Sequence, residues 1–132
     1  MQIESIFHQP YDQYAFSLDD KTYRLRIRTK KGDCSEINLY YGDPFNFNDS
    51  GWQIEKVLTL YLAFSTELYD FWEVNVQPPN KRMKYLFYLK CEESSLFYGE
   101  GGFTDHFNPH DLSNCFTLAF LHKNNLITPP KW

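Results

Sequence analysis

The sequence predicts an all-β fold, an antiparallel sandwich of seven or more short strands. Three observations carry this expectation. Apolar and polar residues alternate with period two in the clearest segments. Turn residues punctuate the chain at short, regular intervals. The 132 residues also include 12 Phe, 10 Tyr and 3 Trp, enough large side chains to fill the core of one domain.

The elements follow in order along the chain. Short strands are expected over residues 3–8 and 13–18, separated from the next by Asp19-Asp20. Residues 22–30 (TYRLRIRTK) give the cleanest pattern. Tyr23, Leu25, Ile27 and Thr29 share one face, and Arg24, Arg26, Arg28 and Lys30 share the other, the signature of a half-buried strand. Lys31-Gly32-Asp33 supplies a turn. Ile37, Leu39 and Tyr41 mark a second strand, closed by Gly42-Asp43-Pro44, and the two strands are expected to pair as a hairpin. Further strands are expected over 52–64, 69–76 and 95–98. In residues 81–90 (KRMKYLFYLK), Met83, Tyr85, Phe87 and Leu89 form one face. Leu86 and Tyr88 make the opposite face partly apolar, so that face needs a cover from outside. Asn48-Asp49-Ser50-Gly51, Pro78-Pro79-Asn80 and Glu92-Glu93-Ser94 read as turns, and residues 104–114 as a polar loop.

Charge and cysteine content narrow the function. A net charge of −4 argues against a nucleic-acid partner, which selects a basic face. No run of 18 apolar residues is present, so no membrane span is expected, and the first residues lack the basic, then apolar, pattern of a secretory signal. Cys34, Cys91 and Cys115 are odd in number and have no CxxC spacing. They read as free thiols of a cytoplasmic protein.

Catalytic and metal-binding signatures are sparse. His106 and His110 have a metal-ligand spacing, but Pro109 interrupts the segment and no third ligand accompanies them, so a polar surface loop is expected. His8 and His122 are isolated and read as packed structural residues. Gly99-Glu100-Gly101-Gly102 opens no helix and reads as a turn. The carboxylate pairs Asp19/Asp20 and Glu92/Glu93 sit in turns, where nothing raises a pKa. No nucleophile, base and oxyanion constellation is present. The expected chain has no catalytic residue, no metal site and no cofactor.

Residues 39–52 (LYYGDPFNFNDSGW) stand apart. Turn residues drive this segment to the surface, yet it carries Tyr40, Tyr41, Phe45, Phe47 and Trp52 among Asp43, Asn46, Asn48 and Asp49. A flat ring beside amides and carboxylates suits a sugar, whose C–H face packs on the ring while its hydroxyls bond to the polar groups. Phe45, Phe47 and Trp52 could equally fold back to cap the end of the sandwich. Trp72 is expected in the core.

A resemblance joins these segments. Residues 5–8 (SIFH), 25–33 (LRIRTKKGD), 41–45 (YGDPF) and 120–124 (FLHKN), with 70–72 (DFW), 82–85 (RMKY) and 127–132 (ITPPKW), follow one order along the whole chain. Together they resemble the N-terminal immunoglobulin-like domain of neopullulanase, cyclomaltodextrinase and maltogenic amylase. These are enzymes of glycoside hydrolase family 13, and the domain is classed as carbohydrate-binding module family 34. The resemblance implies an immunoglobulin-like antiparallel β-sandwich over 1–124 and a linker over 125–132 leading to a catalytic (β/α)8 barrel absent from this sequence. The paired carboxylates that hydrolyse α-1,4 and some α-1,6 glucosidic bonds with retention belong to that barrel. It implies as partners a second subunit of a homodimer, whose substrate cleft the domain narrows, and a weakly bound α-glucan or maltooligosaccharide. Phe45 corresponds to the loop aromatic nearest that substrate, often Tyr in the family, and Trp52 and Tyr41 are further candidate contacts. The competing expectation is a purely structural interaction domain, whose loop aromatics meet protein.

Overall fold

A computed structural model describes residues 2–78, 81–91 and 94–119. The described strands are β1 (Ala15–Ser17), β2 (Tyr23–Lys30), β3 (Cys34–Gly42), β4 (Phe47–Asn48), β5 (Gly51–Trp52), β6 (Lys56–Thr59), β7 (Tyr61–Ser65), β8 (Tyr69–Val76), β9 (Arg82–Cys91), β10 (Ser94–Gly99), β11 (Gly102–Thr104) and β12 (Phe116–Ala119). One sheet runs β1-β2-β8-β7 and the other β11-β10-β9-β3-β6, with β12 also paired to β9. β4 and β5 form a separate two-stranded hairpin. Neighbouring strands are antiparallel, as in the long register of β2 on β8 from Tyr23↔Val76 to Lys30↔Tyr69. The expected immunoglobulin-like, antiparallel sandwich is the observed architecture.

The period-two pattern explains how the sheets close on each other. Leu25 and Ile27 of β2 are fully buried, with Trp72, Val74 and Val76 beside them on β8. Ile37, Leu39 and Tyr41 of β3 and Met83, Tyr85, Phe87 and Leu89 of β9 answer from the second sheet, all in one apolar cluster. Each such side chain contributes about 1.5–3 kcal/mol on burial. The other face of β9 is covered too, as its sequence requires. Leu86 is buried with Trp52 and Cys115, and Tyr40, Ile54, Phe97, Phe107 and Leu112 pack around them.

His8 is one of the polar residues of the interior. Its ring is buried, and Nδ1 lies 2.7 Å from the Arg26 carbonyl oxygen, which can only accept. Nδ1 therefore carries the proton, and Nε2 accepts from the Tyr85 hydroxyl at 2.8 Å. Burial pushes the His8 pKa down to about 3, and burial also holds the Tyr85 hydroxyl well above its ordinary value. Both groups stay neutral in the folded protein. The structural role expected for His8 is the one observed.

Several elements differ from expectation. β2 and β3 do not pair as a hairpin: the chain crosses from one sheet to the other at Lys31-Gly32-Asp33, so that the apolar faces of the two strands meet across the core. Residues 3–8 hold a 3-10 turn (Ile3–Ser5) and a single bridge, Phe7↔Arg28, because His8 turns inward and ends the pairing. Residues 13–18 begin in a second 3-10 turn (Asp12–Tyr14) before β1. Residues 52–64 are not one strand. β6 pairs with β3 in one sheet and β7 with β8 in the other, so the chain changes sheets at Leu60, whose N–H donates to the Ile37 carbonyl at 2.9 Å. The short strands β11 and β12 carry no sequence pattern that announced them. Gly99–Gly102 is a hairpin turn, with Gly99 and Gly102 in register.

The cysteine reading is corrected. Cys34 and Cys91 sit opposite each other in register on β3 and β9 and form a disulfide, leaving Cys115 as the free, buried thiol. Sheet register brought together two residues whose spacing gave no sign of it. Among the described residues no helix is long and apolar enough to cross a membrane. The turn residues Pro79-Asn80 and Glu92-Glu93, His122 and the expected linker at 125–132 lie outside the described residues.

Candidate functional site

The segment from Gly42 to Glu55 leaves β3, makes the β4–β5 hairpin and returns to β6. Gly42 is required by space: a Cβ there would stand 2.6 Å from the Gln53 carbonyl oxygen. Gly51 is required twice, by a φ of +101° and by the Pro109 backbone, 2.7 Å from where its Cβ would be. This close approach lets the Trp52 N–H donate to the Pro109 carbonyl at 2.8 Å, tying the hairpin to the 104–114 loop.

Asp43 organises the loop. Its Oδ1 accepts from the Phe45 N–H at 2.9 Å, an Asx turn. Its Oδ2 receives the Arg82 Nε at 3.2 Å. Its carbonyl oxygen accepts from the Trp52 indole Nε1 at 2.8 Å. From the far end of the segment, Glu55 Oε2 accepts from the Asp43 N–H at 3.2 Å and the Asn46 side-chain amide at 3.0 Å. Asn48 Oδ1 accepts from the Ser50 N–H and the Gln53 side chain. The loop is therefore held at both ends and across its middle.

What this frame displays is Phe45. Its ring is 76% exposed, and the Arg82 guanidinium sits over one face, 4.9 Å from the centroid. The opposite face is turned to solvent. Phe47 is half-exposed nearby, and Asn46, Asn48 and Asp49 are exposed around it. Trp52 is 2% exposed, edge-on to Phe107 at 5.9 Å, and Tyr41 is 4% exposed. As placed, neither offers a ring to a ligand: Trp52 lies beneath the loop and anchors it, and Tyr41 lies in the core between the sheets. Burial, with the Glu55 charge adding to it, raises the Tyr41 pKa. The two alternatives that composition left open thus divide between residues: Trp52 caps the sandwich and Phe45 projects from it. Trp72 is in the core, its indole Nε1 donating to the Thr29 hydroxyl at 3.1 Å.

Sequence reasoning missed Arg82 and Glu55. Asp43-Pro44-Phe45 announces a turn locally, but Arg82 lies 39 positions away and arrives through the pairing of β9 with β3. His106 and His110 lie exposed on the 104–114 loop. The group of potential metal ligands found among the described residues is Asp33, Cys34 and Cys91, where both sulfurs are engaged in the disulfide.

Comparison with known proteins agrees with this geometry. Residues 1–122 match the family described as "Alpha amylase, N-terminal ig-like domain". The chain is 34% identical over its full length to the cyclomaltodextrinase of Geobacillus thermopakistaniensis (strain MAS1), of which it covers 22%. It is 33% identical to the intracellular maltogenic amylase of Bacillus subtilis (strain 168), covering 23% of that protein. A solved cyclomaltodextrinase superposes on 98% of the chain with a TM-score of 0.83 and 27% identity, and 21% of that chain is covered. The chain thus spans about a fifth of the length of the relatives it matches. On its sequence, its two-sheet topology and these matches, the chain belongs to the family of alpha amylase N-terminal ig-like domains.

Proposed function

We propose that this domain serves an α-glucan hydrolase of the cyclomaltodextrinase, maltogenic amylase or neopullulanase kind as a non-catalytic, cytoplasmic module. It binds α-glucan or maltooligosaccharide weakly, assists the pairing of two subunits, and narrows the substrate cleft that the partner subunit presents. Hydrolysis of α-1,4 and some α-1,6 bonds, with retention, belongs to the catalytic barrel of the parent chain.

The observation that supports this reading is the presentation of Phe45: an exposed ring, backed by a guanidinium and fixed by Asp43, with half-exposed Phe47 and the polar Asn46, Asn48 and Asp49 around it. A free ring face of this kind accepts the C–H face of a pyranose. Phe in place of Tyr keeps that apolar contact and gives up a hydroxyl. Of the other candidate contacts, Trp52 acts through the loop it anchors, and Tyr41 is buried in the core.

The test is a titration of the 132-residue chain with maltotriose or β-cyclodextrin at millimolar concentration, followed by amide chemical shifts. Shifts at residues 45–48 that vanish in Phe45→Ala are expected. Absence of any response there removes sugar binding at this loop. In the full-length enzyme, Phe45→Ala is expected to change the preference between cyclodextrin and long glucan. A weakened dimer with unchanged preference supports the purely structural reading instead.

A further inference from the structure

The end of β3 away from the Phe45 loop holds a second cluster of chemically active groups. Cys34 opens β3 and stands directly opposite Cys91, the last residue of β9. Both are buried. Asp33 precedes Cys34 in the crossing between the sheets. One carboxylate oxygen of Asp33 and the two sulfurs all lie within 4.8 Å of one another.

An irregularity of the strand makes this meeting possible. Strict alternation from Tyr41, Leu39 and Ile37 would turn Ser35 inward and Cys34 outward. The register of β3 on β9 instead shifts between Cys34 and Glu36, a bulge that carries Ser35 to the surface and returns Cys34 to the inner face, beside Cys91. The Ser35 hydroxyl donates to the Lys90 carbonyl at 3.1 Å and holds the bulge.

The carboxylate is fixed as well. The Gln2 N–H donates to Asp33 Oδ2 at 2.8 Å, and the Asp33 N–H donates to the Lys30 carbonyl at 3.0 Å. Gly32, at a φ of +75°, gives its N–H to Asp70 Oδ2 at 2.9 Å and pins the crossing to β8. A carboxylate has lone pairs enough to accept from Gln2 and to bind a cation at once. Such an outer hydrogen bond is what orients a metal-binding carboxylate.

In the closed disulfide the sulfurs serve each other. A dithiol reductant opens the bond by supplying two electrons and two protons, and itself closes to a cyclic disulfide. The protein is left with two thiols and a carboxylate converging on one point. Thiolate sulfur selects zinc over magnesium or calcium, and an aspartate oxygen completes sets of this kind.

We propose that reduced Cys34 and Cys91, with Asp33, form a binding site for a thiophilic divalent cation of the zinc class. On binding, both thiol protons leave to solvent, and two sulfur–metal bonds and one oxygen–metal bond form. Disulfide and metal are therefore alternative states of the same two sulfurs. Cys115 takes no part: it lies on the other side of β9, under the lid, and burial pushes its thiol up to about 11.

The test uses the whole chain, reduced with a dithiol, freed of it and kept without oxygen. Cd2+ is the optical probe, through its thiolate charge-transfer absorption, and Zn2+ is followed by competition with a chromophoric chelator. Absorption saturating at one Cd2+ per chain is expected after reduction and not before. Cys34→Ser, Cys91→Ser and Asp33→Asn should each weaken binding about tenfold or more relative to the reduced parent, which also lacks the cross-link. Cys115→Ala should leave it unchanged. A measurement on the parent chain needs no variant: Zn2+ should slow reclosure of the bond by oxidised glutathione. No absorption in the reduced chain, equal absorption in Cys34→Ser, loss of it in Cys115→Ala, or reclosure at the same rate with and without Zn2+ overturns the proposal. Each of these outcomes leaves the Phe45 reading untouched, because the two sites share no residue.

Discussion

The two outer faces of the sandwich solve the same problem in opposite ways. Outside β2 and β8, the exposed positions are filled by arginines and rings. The Arg28 guanidinium lies between Phe7 and Tyr69, 5.7 and 4.3 Å from their centroids, and Arg26 lies between Phe16 and Phe64 at 5.5 and 5.4 Å. Glu73, 5% exposed, sits among them with Oε2 2.7 Å from Arg26 Nη2. Outside β9, Arg82, Lys84 and Lys90 share the outer face with Leu86, and Trp52, Phe107 and Leu112 pack over the leucine between them. Outside β2 and β8 the rings need no lid, because guanidinium stems spread over them while the charged heads stay wet. Leu86 is covered by a loop instead. That loop, once recruited, has an outer side of its own, and Phe45 stands on it.

The contrast can be broken most severely at the lid. Trp52→Ala removes the cap of Leu86 and the indole bond to Asp43, and should cost about 3–5 kcal/mol in urea unfolding. It should also abolish any saccharide response at Phe45, since the loop loses its anchor. A loss no larger than that of a surface substitution would mean that the lid is dispensable.

On the bare face, Glu73→Gln leaves Arg26 and Arg24 without their counter-charge. Oε1 lies 3.7 Å from Arg24 Nε, and Tyr61 donates to it at 3.4 Å. A loss of about 1.5–3 kcal/mol is expected. Adding salt should shrink it, because both arginines are partly exposed. The lid variant should show little salt dependence, which is what separates the two faces.

Between the sheets, His8 provides a pH signature that belongs to neither face. The unfolded chain protonates this histidine near pH 6.5, whereas burial lowers the folded value to about 3. The unfolded state therefore binds the extra proton as pH falls through this window, and stability falls with it. The slope from this group is at most about 1.4 kcal/mol per pH unit. Unfolding midpoints should drop from pH 6.5 to about 5, above the usual carboxylate range, and His8→Gln should remove this contribution.

The smallest stability effect is expected at the lid's outer side. Phe45→Ala should change unfolding free energy by no more than about 0.5 kcal/mol, as for other surface positions. A larger loss in thermal or urea unfolding would mean that the ring supports the loop rather than being displayed by it.

Much of this design was readable from local pattern. Alternation in residues 22–30 placed Leu25 and Ile27 inside and the arginines outside, and Leu86 and Tyr88 announced that β9 needs cover on both faces. Asp43-Pro44-Phe45 marked the turn that lifts Phe45. What stayed hidden depends on register between distant segments. Arg82 reaches Asp43, and Cys34 meets Cys91, through the pairing of β9 with β3, which no spacing encodes. The change of sheets at Leu60 was hidden for a related reason: apolar residues continue through the corner, so the pattern of 52–64 reads as one strand.

The Cys34–Cys91 bond carries one more consequence, for the covalent connectivity of the chain. The cross-link spans 57 positions and encloses β4 through β8. A protease that cuts once within this ring, at the exposed Glu67-Leu68 corner for example, yields two polypeptides that remain one molecule. Such a nicked chain migrates as a single species until a reductant is added, then separates into its two parts. The same gel reports, without any spectroscopy, whether the bond is closed in a given preparation.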